Sequence, residues 1–121
     1  MVIQPKKHDP KKLRICVDFR ELNKFTLTHP FPTPYADEIL NEVAGHEFYS
    51  FIDGLSGYNQ VPIAKEDKKK TTFVCEFGSF GYRVMPFGLK NAPVVFLRIV
   101  VKIFQEYIYK TMVVYFDDWT I

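Results

Sequence analysis

Met112–Phe116 is an unbroken hydrophobic stretch of strand character that ends in two adjacent carboxylates, Asp117 and Asp118, before Trp119–Ile121 starts a returning strand. This acidic tip constrains the chain more than any other feature. Neighbouring like charges repel, and burial makes both of them costlier. A fold tolerates the pair readily when a divalent cation neutralises it, and Mg2+ favours carboxylate oxygens together with substrate phosphates. Extended backbone would send the two side chains to opposite faces, whereas a tight turn lets both serve one site. The plainer alternative is an Asp-Asp hairpin turn in solvent.

A second apolar stretch also ends in a carboxylate: Phe51-Ile52-Asp53-Gly54. Glu47–Asp53 is expected to be a strand, and apolar residues on both of its faces predict a central one. Gly54 lets another backbone or a ligand approach closely. If the two acidic strands are sheet neighbours, Asp53 and the Asp117-Asp118 tip supply three carboxylates. That is enough to hold two metals for an in-line phosphoryl displacement. Spacing alone leaves the pairing open.

The remaining elements read as follows. Val2–Pro5 and Leu13–Val17 predict two strands joined by a Lys6–Lys12 turn, and Asp18 caps a helical piece over Phe19–Lys24. Pro30, Pro32 and Pro34 keep their segment extended, and Thr33-Pro34 starts a helix whose face carries Tyr35, Ile39, Leu40 and Val43. Tyr58–Ile63 is expected to be extended. Thr71–Phe77 and Tyr82–Met85 predict a hairpin about Gly78-Ser79-Phe80-Gly81. Asn91–Tyr107 reads as a largely buried helix despite its Val and Ile, because Arg98, Lys102, Gln105 and Glu106 share one stripe. Strands and helices mix without a regular βαβ repeat, so the fold class is α+β.

Charge is uneven along the 121 residues. Residues 1–24 carry a net +4, and a second basic group, Lys65 with Lys68–Lys70, surrounds Glu66 and Asp67. The stretch from Glu106 onward carries −2. Basic flanks around an acidic focus suit a polyanion held beside a metal, or equally a solvated surface. Two cysteines, Cys16 and Cys75, are too few for a disulfide scaffold or a zinc knuckle. No apolar run reaches a membrane span, and the basic start lacks the apolar core of a signal peptide. The expectation is an intracellular protein, in a cytoplasmic particle or the nucleus, with no membrane partner.

Several segments together resemble the reverse transcriptases of gypsy-type LTR retrotransposons. Arg14-Ile15-Cys16-Val17-Asp18-Phe19-Arg20-Glu21-Leu22-Asn23-Lys24 is similar to their fingers segment. Phe51-Ile52-Asp53-Gly54-Leu55-Ser56-Gly57-Tyr58-Asn59-Gln60 is similar to their first catalytic-aspartate motif. Lys70-Thr71-Thr72-Phe73, Met85-Pro86-Phe87-Gly88-Leu89-Lys90-Asn91-Ala92-Pro93 and Tyr115-Phe116-Asp117-Asp118 follow in the family's order. The Gly45-His46, Asp53-Gly54 and Gly57-Tyr58-Asn59-Gln60 details resemble plant elements in particular.

The resemblance implies a right-hand polymerase with an antiparallel palm sheet packed on helices. Its fingers would be residues 1–28 and 61–91, and its palm residues 29–60 and 92–121. It implies an RNA-directed DNA polymerase using two Mg2+ ions, with Mn2+ able to replace them. Asp53, Asp117 and Asp118 match the catalytic, metal-holding carboxylates. Lys7 and Arg14 match contacts to the incoming triphosphate, where a flexible ammonium and a forked guanidinium suit a polyanion. Tyr58 matches the ring that closes the sugar 2′ side; its alternative is an ordinary core tyrosine. Phe87 and Gly88 match the loop beside the nucleotide, where many retroviral relatives carry Gln in place of Phe. Asp18, Arg20, Tyr115 and Phe116 match positions on the template-primer side. The implied partners are an RNA or DNA template with its primer, deoxynucleoside triphosphates, and the rest of a retroelement polyprotein.

The chain also departs from the family pattern. Leu97 stands where a polar Gln is usual, and Trp119-Thr120-Ile121 replaces the usual Ile-Leu-Ile. Thumb, connection and ribonuclease H segments are expected to be absent. An alternative is therefore a truncated, non-catalytic retroelement relic that at most binds nucleic acid. A two-metal nuclease would use the same carboxylates but gives no reason for Lys7, Arg14 or Tyr58.

Overall fold

The computed structural model describes residues 2–6, 9–32, 35–54, 56–116 and 118–121, with side chains described from residue 16 onward. In chain order the elements are β1 (Val2–Lys6), β2 (Asp9–Cys16), α1 (Arg20–Phe25), α2 (Ala36–Val43), β3 (Phe51–Asp53), β4 (Phe73–Cys75), β5 (Gly78–Phe80), α3 (Ala92–Ile103), β6 (Val113–Tyr115) and β7 (Asp118–Thr120). Short 3₁₀ turns cover Gly57–Gln60 and Lys68–Thr71. The class is α+β, as the sequence predicts. The chain divides into two compact units, Met1–Leu27 with Tyr58–Ala92, and Thr28–Gly57 with Pro93–Ile121.

In the first unit, β1 and β2 pair antiparallel from Val2↔Cys16 to Pro5↔Leu13, after which the register shifts and Lys6 faces Asp9. The turn expected over Lys6–Lys12 is thus largely strand. Pro10, with no N–H to donate, falls in the irregular stretch beyond the shift. The chain then enters α1 through Phe19, and Asp18 accepts the Arg20 backbone N–H at 3.0 Å. Phe19 is buried, edge-on to Tyr82 at 6.2 Å; Tyr82 lies 5.6 Å from Phe73, which lies 6.1 Å from Phe80. Buried Phe19 and Met85, flanked by half-buried Tyr82 and Phe73, form the unit's core, while Phe80 at the end of this ring series is exposed.

Two expectations in this unit are corrected. The hairpin is β4–β5, with Phe73↔Phe80 and Cys75↔Gly78 in register, so its turn falls at Glu76-Phe77 and Gly78–Phe80 is strand. Tyr82–Met85 instead pairs upstream: the Met85 N–H donates to the Val61 carbonyl at 2.9 Å and the Ile63 N–H to the Arg83 carbonyl at 3.0 Å. Tyr58 is not extended but lies in the 3₁₀ turn, where the Val61 N–H reaches back to its carbonyl at 3.1 Å.

The second unit is built on a three-stranded antiparallel sheet of order β3-β7-β6. Thus β7 is central, and β3 is an edge strand whose three residues are exposed, correcting the central-strand expectation. The core comprises Phe96, Leu97 and Val100 of α3 with Met112, Val113 and Val114 at β6. Arg98, Lys102, Gln105 and Glu106 are exposed, as their stripe predicts, although α3 itself ends at Ile103. Beyond it the Tyr107 carbonyl accepts N–H bonds from Lys110, Thr111 and Met112, folding the connection tightly into β6. Helix α2 packs against β6. Its expected apolar face is only partly covered, since Ile39 and Val43 are half-buried while Tyr35 and Leu40 are exposed. The expected start at Thr33-Pro34 lies outside the described residues.

Candidate active site

The register of the second unit brings acidic residues together. In the β6–β7 hairpin Tyr115 pairs with Asp118, so two positions connect the strands, the first of them Phe116. On its other edge Asp118 of β7 faces Asp53 of β3. Side chains directly opposite in an antiparallel pair have Cβ atoms roughly 4.5–5.5 Å apart. Asp118 is therefore the first residue of a strand rather than part of the turn itself. Asp117 lies outside the described residues.

Asp53 and Asp118 are both exposed, so the burial cost expected for the acidic tip does not apply at Asp118. Among the described residues neither is paired with a base. Carboxylates are the hard oxygen donors that a hydrated divalent ion takes, although among the described residues no group of three or more His, Cys, Asp or Glu is placed to hold one. Among the described residues, two hollows of this unit lie away from the acidic group. One, lined by Val43, Tyr49, Met112 and Ile121, is at the other end of β7. The acidic group instead sits at an open sheet end, where a large substrate can reach it.

The hairpin connection is unusual. Phe116 has φ +52°, in the left-handed region that a bulky residue seldom enters. Two-residue hairpin loops require such values, because only they match the twist of the flanking strands. Tyr115 is partly exposed and meets Phe116 edge-to-face at 5.1 Å. The Trp119 Nε1–H donates to the Phe116 carbonyl at 3.4 Å. Sequence reasoning marked Trp119 only as a departure; an indole three residues past a turn carries no local signal for this bond.

The other expected site residues fall in the first unit. Lys7 lies outside the described residues. Arg14 is opposite Gln4 in the β1–β2 ladder, and its side chain is not described. Tyr58 and Phe87 meet edge-to-face at 5.1 Å and 66°. Gly88 has φ +96°, a left-handed backbone conformation that favours glycine, so the loop needs glycine at this point. Asn23 fastens that loop: its amide donates to the Gly88 carbonyl at 2.7 Å and accepts the Lys90 N–H at 2.8 Å. Nothing local in the sequence singles out Asn23, which lies in α1 and acts across 65 residues.

Asp18 and Arg20 bind each other. The guanidinium donates through Nε at 3.0 Å and through Nη2 at 2.6 Å. These bonds, followed by the Arg20 backbone N–H, pull the Asp18 pKa down to about 2. In the second unit Arg98 donates to His29 and lies over the Phe31 ring at 5.8 Å.

Comparison with known proteins identifies the family and the fold. Residues 4–121 match the family described as reverse transcriptase (RNA-dependent DNA polymerase). An RNA-directed DNA polymerase homolog from Oenothera berteroana is 43% identical over 106 residues, covering 88% of this chain and 75% of that protein. The Pol polyprotein from transposon gypsy of Drosophila melanogaster is 36% identical over 110 residues, covering 91% of this chain but only 10% of the polyprotein. A foamy viral protease-reverse transcriptase in complex with double-stranded DNA superposes with a TM-score of 0.85 at 27% identity, covering 98% of this chain and 20% of that one. The same protein type in complex with an RNA/DNA hybrid gives 0.82 at 25%, covering 98% and 15%. The chain thus spans most of the plant relative and a small part of the polyproteins, and it belongs to the reverse transcriptase (RNA-dependent DNA polymerase) family.

Proposed function

We propose that this chain forms the polymerase core of a retroelement reverse transcriptase, which joins deoxynucleotides to a primer 3′-hydroxyl on an RNA or DNA template. The observation that carries this reading is the register: Asp53 faces Asp118, and the residue before Asp118 is the third family carboxylate, Asp117. In this reading the first unit is fingers and the second palm. The unit boundaries fall within three residues of those drawn from the family resemblance.

Asp53 and Asp117 would hold two Mg2+ ions, with Asp118 supporting them. When bound, such ions supply Lewis acidity to the attacking hydroxyl and the leaving phosphates. The primer 3′-oxygen forms its bond to the α-phosphorus, the bond to the β-phosphate oxygen breaks, and pyrophosphate leaves while the hydroxyl proton passes to solvent. The chain's own residues bind and orient. Lys7 and Arg14 clamp the triphosphate. Tyr58, backed edge-on by Phe87, closes the sugar 2′ side and denies an added hydroxyl both room and a partner. Asn23 holds the Phe87-Gly88 loop in place for this contact. By the family resemblance, Asp18, Arg20, Tyr115 and Phe116 would contact the template-primer. Neighbours of the same fold in complex with an RNA/DNA hybrid and with double-stranded DNA support nucleic acid as the partner.

The test is primer extension by the chain itself and by a chimaera in which it replaces the matching segment of the transposon gypsy Pol polyprotein. Extension that Asp53→Asn and Asp117→Asn each reduce by about 10²-fold or more is the expected result. Equal extension by the chimaera and both variants would remove the assigned chemistry.

A further inference from the structure

We propose that Trp119 is a positioning residue that holds the acidic turn in shape from the back of the sheet. What the turn holds rests on the polymerase reading; that Trp119 holds the turn does not. Phe116 sits at φ +52°, and a bulky residue leaves that region unless its surroundings fix it. The ladder pair Tyr115↔Asp118 fixes the two ends of the connection. The indole N–H of Trp119 takes the carbonyl between them, at 3.4 Å.

The indole is itself anchored. Trp119 is in the central strand, facing Ile52 on one side and Val114 on the other. Its ring lies 5.5 Å from that of Phe104, which follows α3 and whose N–H donates to the Val100 carbonyl at 2.9 Å. Successive strand residues point to opposite faces, so Trp119 and Asp118 occupy different sides of the sheet. Trp119 therefore leaves the carboxylate face open and acts only through the Phe116 carbonyl. The aliphatic residues usual in the family after the acidic pair have no donor for this bond. Phe104 and Trp119 thus link the end of α3 to the turn.

The experiment uses the full chain and Trp119→Phe, which keeps a ring against Phe104 and removes the N–H. Two quantities are read: hydrogen exchange of the amides of residues 115–118, and the Mn2+ dissociation constant from the paramagnetic resonance of the free ion. Loss of one such bond is expected to speed the exchange and weaken Mn2+ by about threefold to tenfold each. Met112→Ala, in the buried core beyond the end of β6 away from the turn, serves as the structural control. It weakens the same core without touching the Phe116 carbonyl, and is expected to lower the melting temperature while leaving the Mn2+ constant within about twofold. In the unmodified chain the indole N–H, unique because there is one tryptophan, is expected to exchange more slowly than free indole. Unchanged turn exchange in Trp119→Phe, an unprotected indole N–H, or equal Mn2+ losses in both variants would overturn the proposal. Faster turn exchange in a protein that binds no Mn2+, even unmodified, would uphold the positioning role and defeat the metal site of the polymerase reading instead.

Discussion

Asp53 and Asp118 stand directly opposite each other across β3 and β7, two exposed like charges with no base beside them among the described residues. Directly opposed like charges destabilise a strand pair by roughly 0.2–1 kcal/mol. Without divalent ions, Asp53→Asn is therefore expected to make the protein slightly more stable, by about that amount. Mg2+ should raise the melting temperature of the original chain, because binding to the folded state alone stabilises it, and should raise that of Asp53→Asn far less. Melting curves in chelator and in Mg2+ check both. A variant that melts lower in chelator and keeps the full Mg2+ response would place the ion elsewhere.

The left-handed Phe116 gives a second expectation. Substitution by Gly, which enters that region freely, sacrifices the Tyr115–Phe116 ring contact but removes the strain. Substitution by Val keeps an apolar residue and worsens the strain, because a β-branched side chain is the least tolerant there. Phe116→Val is expected to be less stable than Phe116→Gly by about 1–2 kcal/mol in urea denaturation. The reverse order would mean that the turn does not hold this conformation in solution.

These two relationships differ in how much of them the sequence carried. The acidic hairpin was legible, since an apolar stretch, two acids and a returning strand state it locally, and Val113 and Val114 are buried as their hydrophobicity demands. The burial of α3 was legible for the same reason, through the exposed Arg98 stripe. The facing of Asp53 and Asp118 was not, because it depends on pairing between segments 65 residues apart with no local mark. Phe51 misled in the opposite direction: apolar residues on both faces suggested a central strand, yet its side chain is 81% exposed on an edge. Gly78-Ser79-Phe80-Gly81 looked like turn chemistry, but ring packing of Phe73 with Phe80 fixes the register and moves the turn to Glu76-Phe77.

Gly57 offers a third test, within the second unit. A Cβ at this position would come far closer than van der Waals contact to Cζ of buried Phe96 on α3. Gly57→Ala is thus expected to cost about 1–3 kcal/mol by overpacking. Phe96→Leu alone should cost a comparable amount through lost volume. Together the two changes should cost clearly less than their sum, because the smaller side chain vacates the space that the methyl needs. A strictly additive double-mutant cycle would show that the two residues do not meet.

The Asp18–Arg20 pair predicts a pH dependence. Hydrogen bonds from the Arg20 guanidinium, and then from its backbone N–H, hold Asp18 at about 2 against an ordinary 3.8. A carboxyl depressed in the folded state contributes stability that is present above its unfolded pKa and is lost as pH falls through the folded value. The loss is therefore expected between roughly pH 4 and 2, and it is local because the pair is exposed. Carboxyl-carbon NMR should show Asp18 titrating near the low end of that window, and Arg20→Ala should move its midpoint upward. A midpoint already at the ordinary aspartate value in the original chain would mean the pair is not formed.

Leu97 tests how a family departure has been absorbed. The position is usually a polar Gln, yet here the side chain is 1% exposed, the most buried of the described core. It lies on α3 near Val113 and Val114 of β6. Restoring the family residue, Leu97→Gln, would place an amide in these apolar surroundings. An unpaired buried amide costs about 1–3 kcal/mol by mutational comparison, and the leucine's own packing is lost with it. Leu97→Gln is expected to destabilise the protein by about 3 kcal/mol or more, whereas Leu97→Met, which conserves volume, should cost less than about 1.5 kcal/mol. Urea denaturation of the three proteins compares them directly. A neutral Leu97→Gln would show that the amide finds a partner here, and that the leucine is interchangeable with the residue it replaced rather than part of a core rebuilt around it.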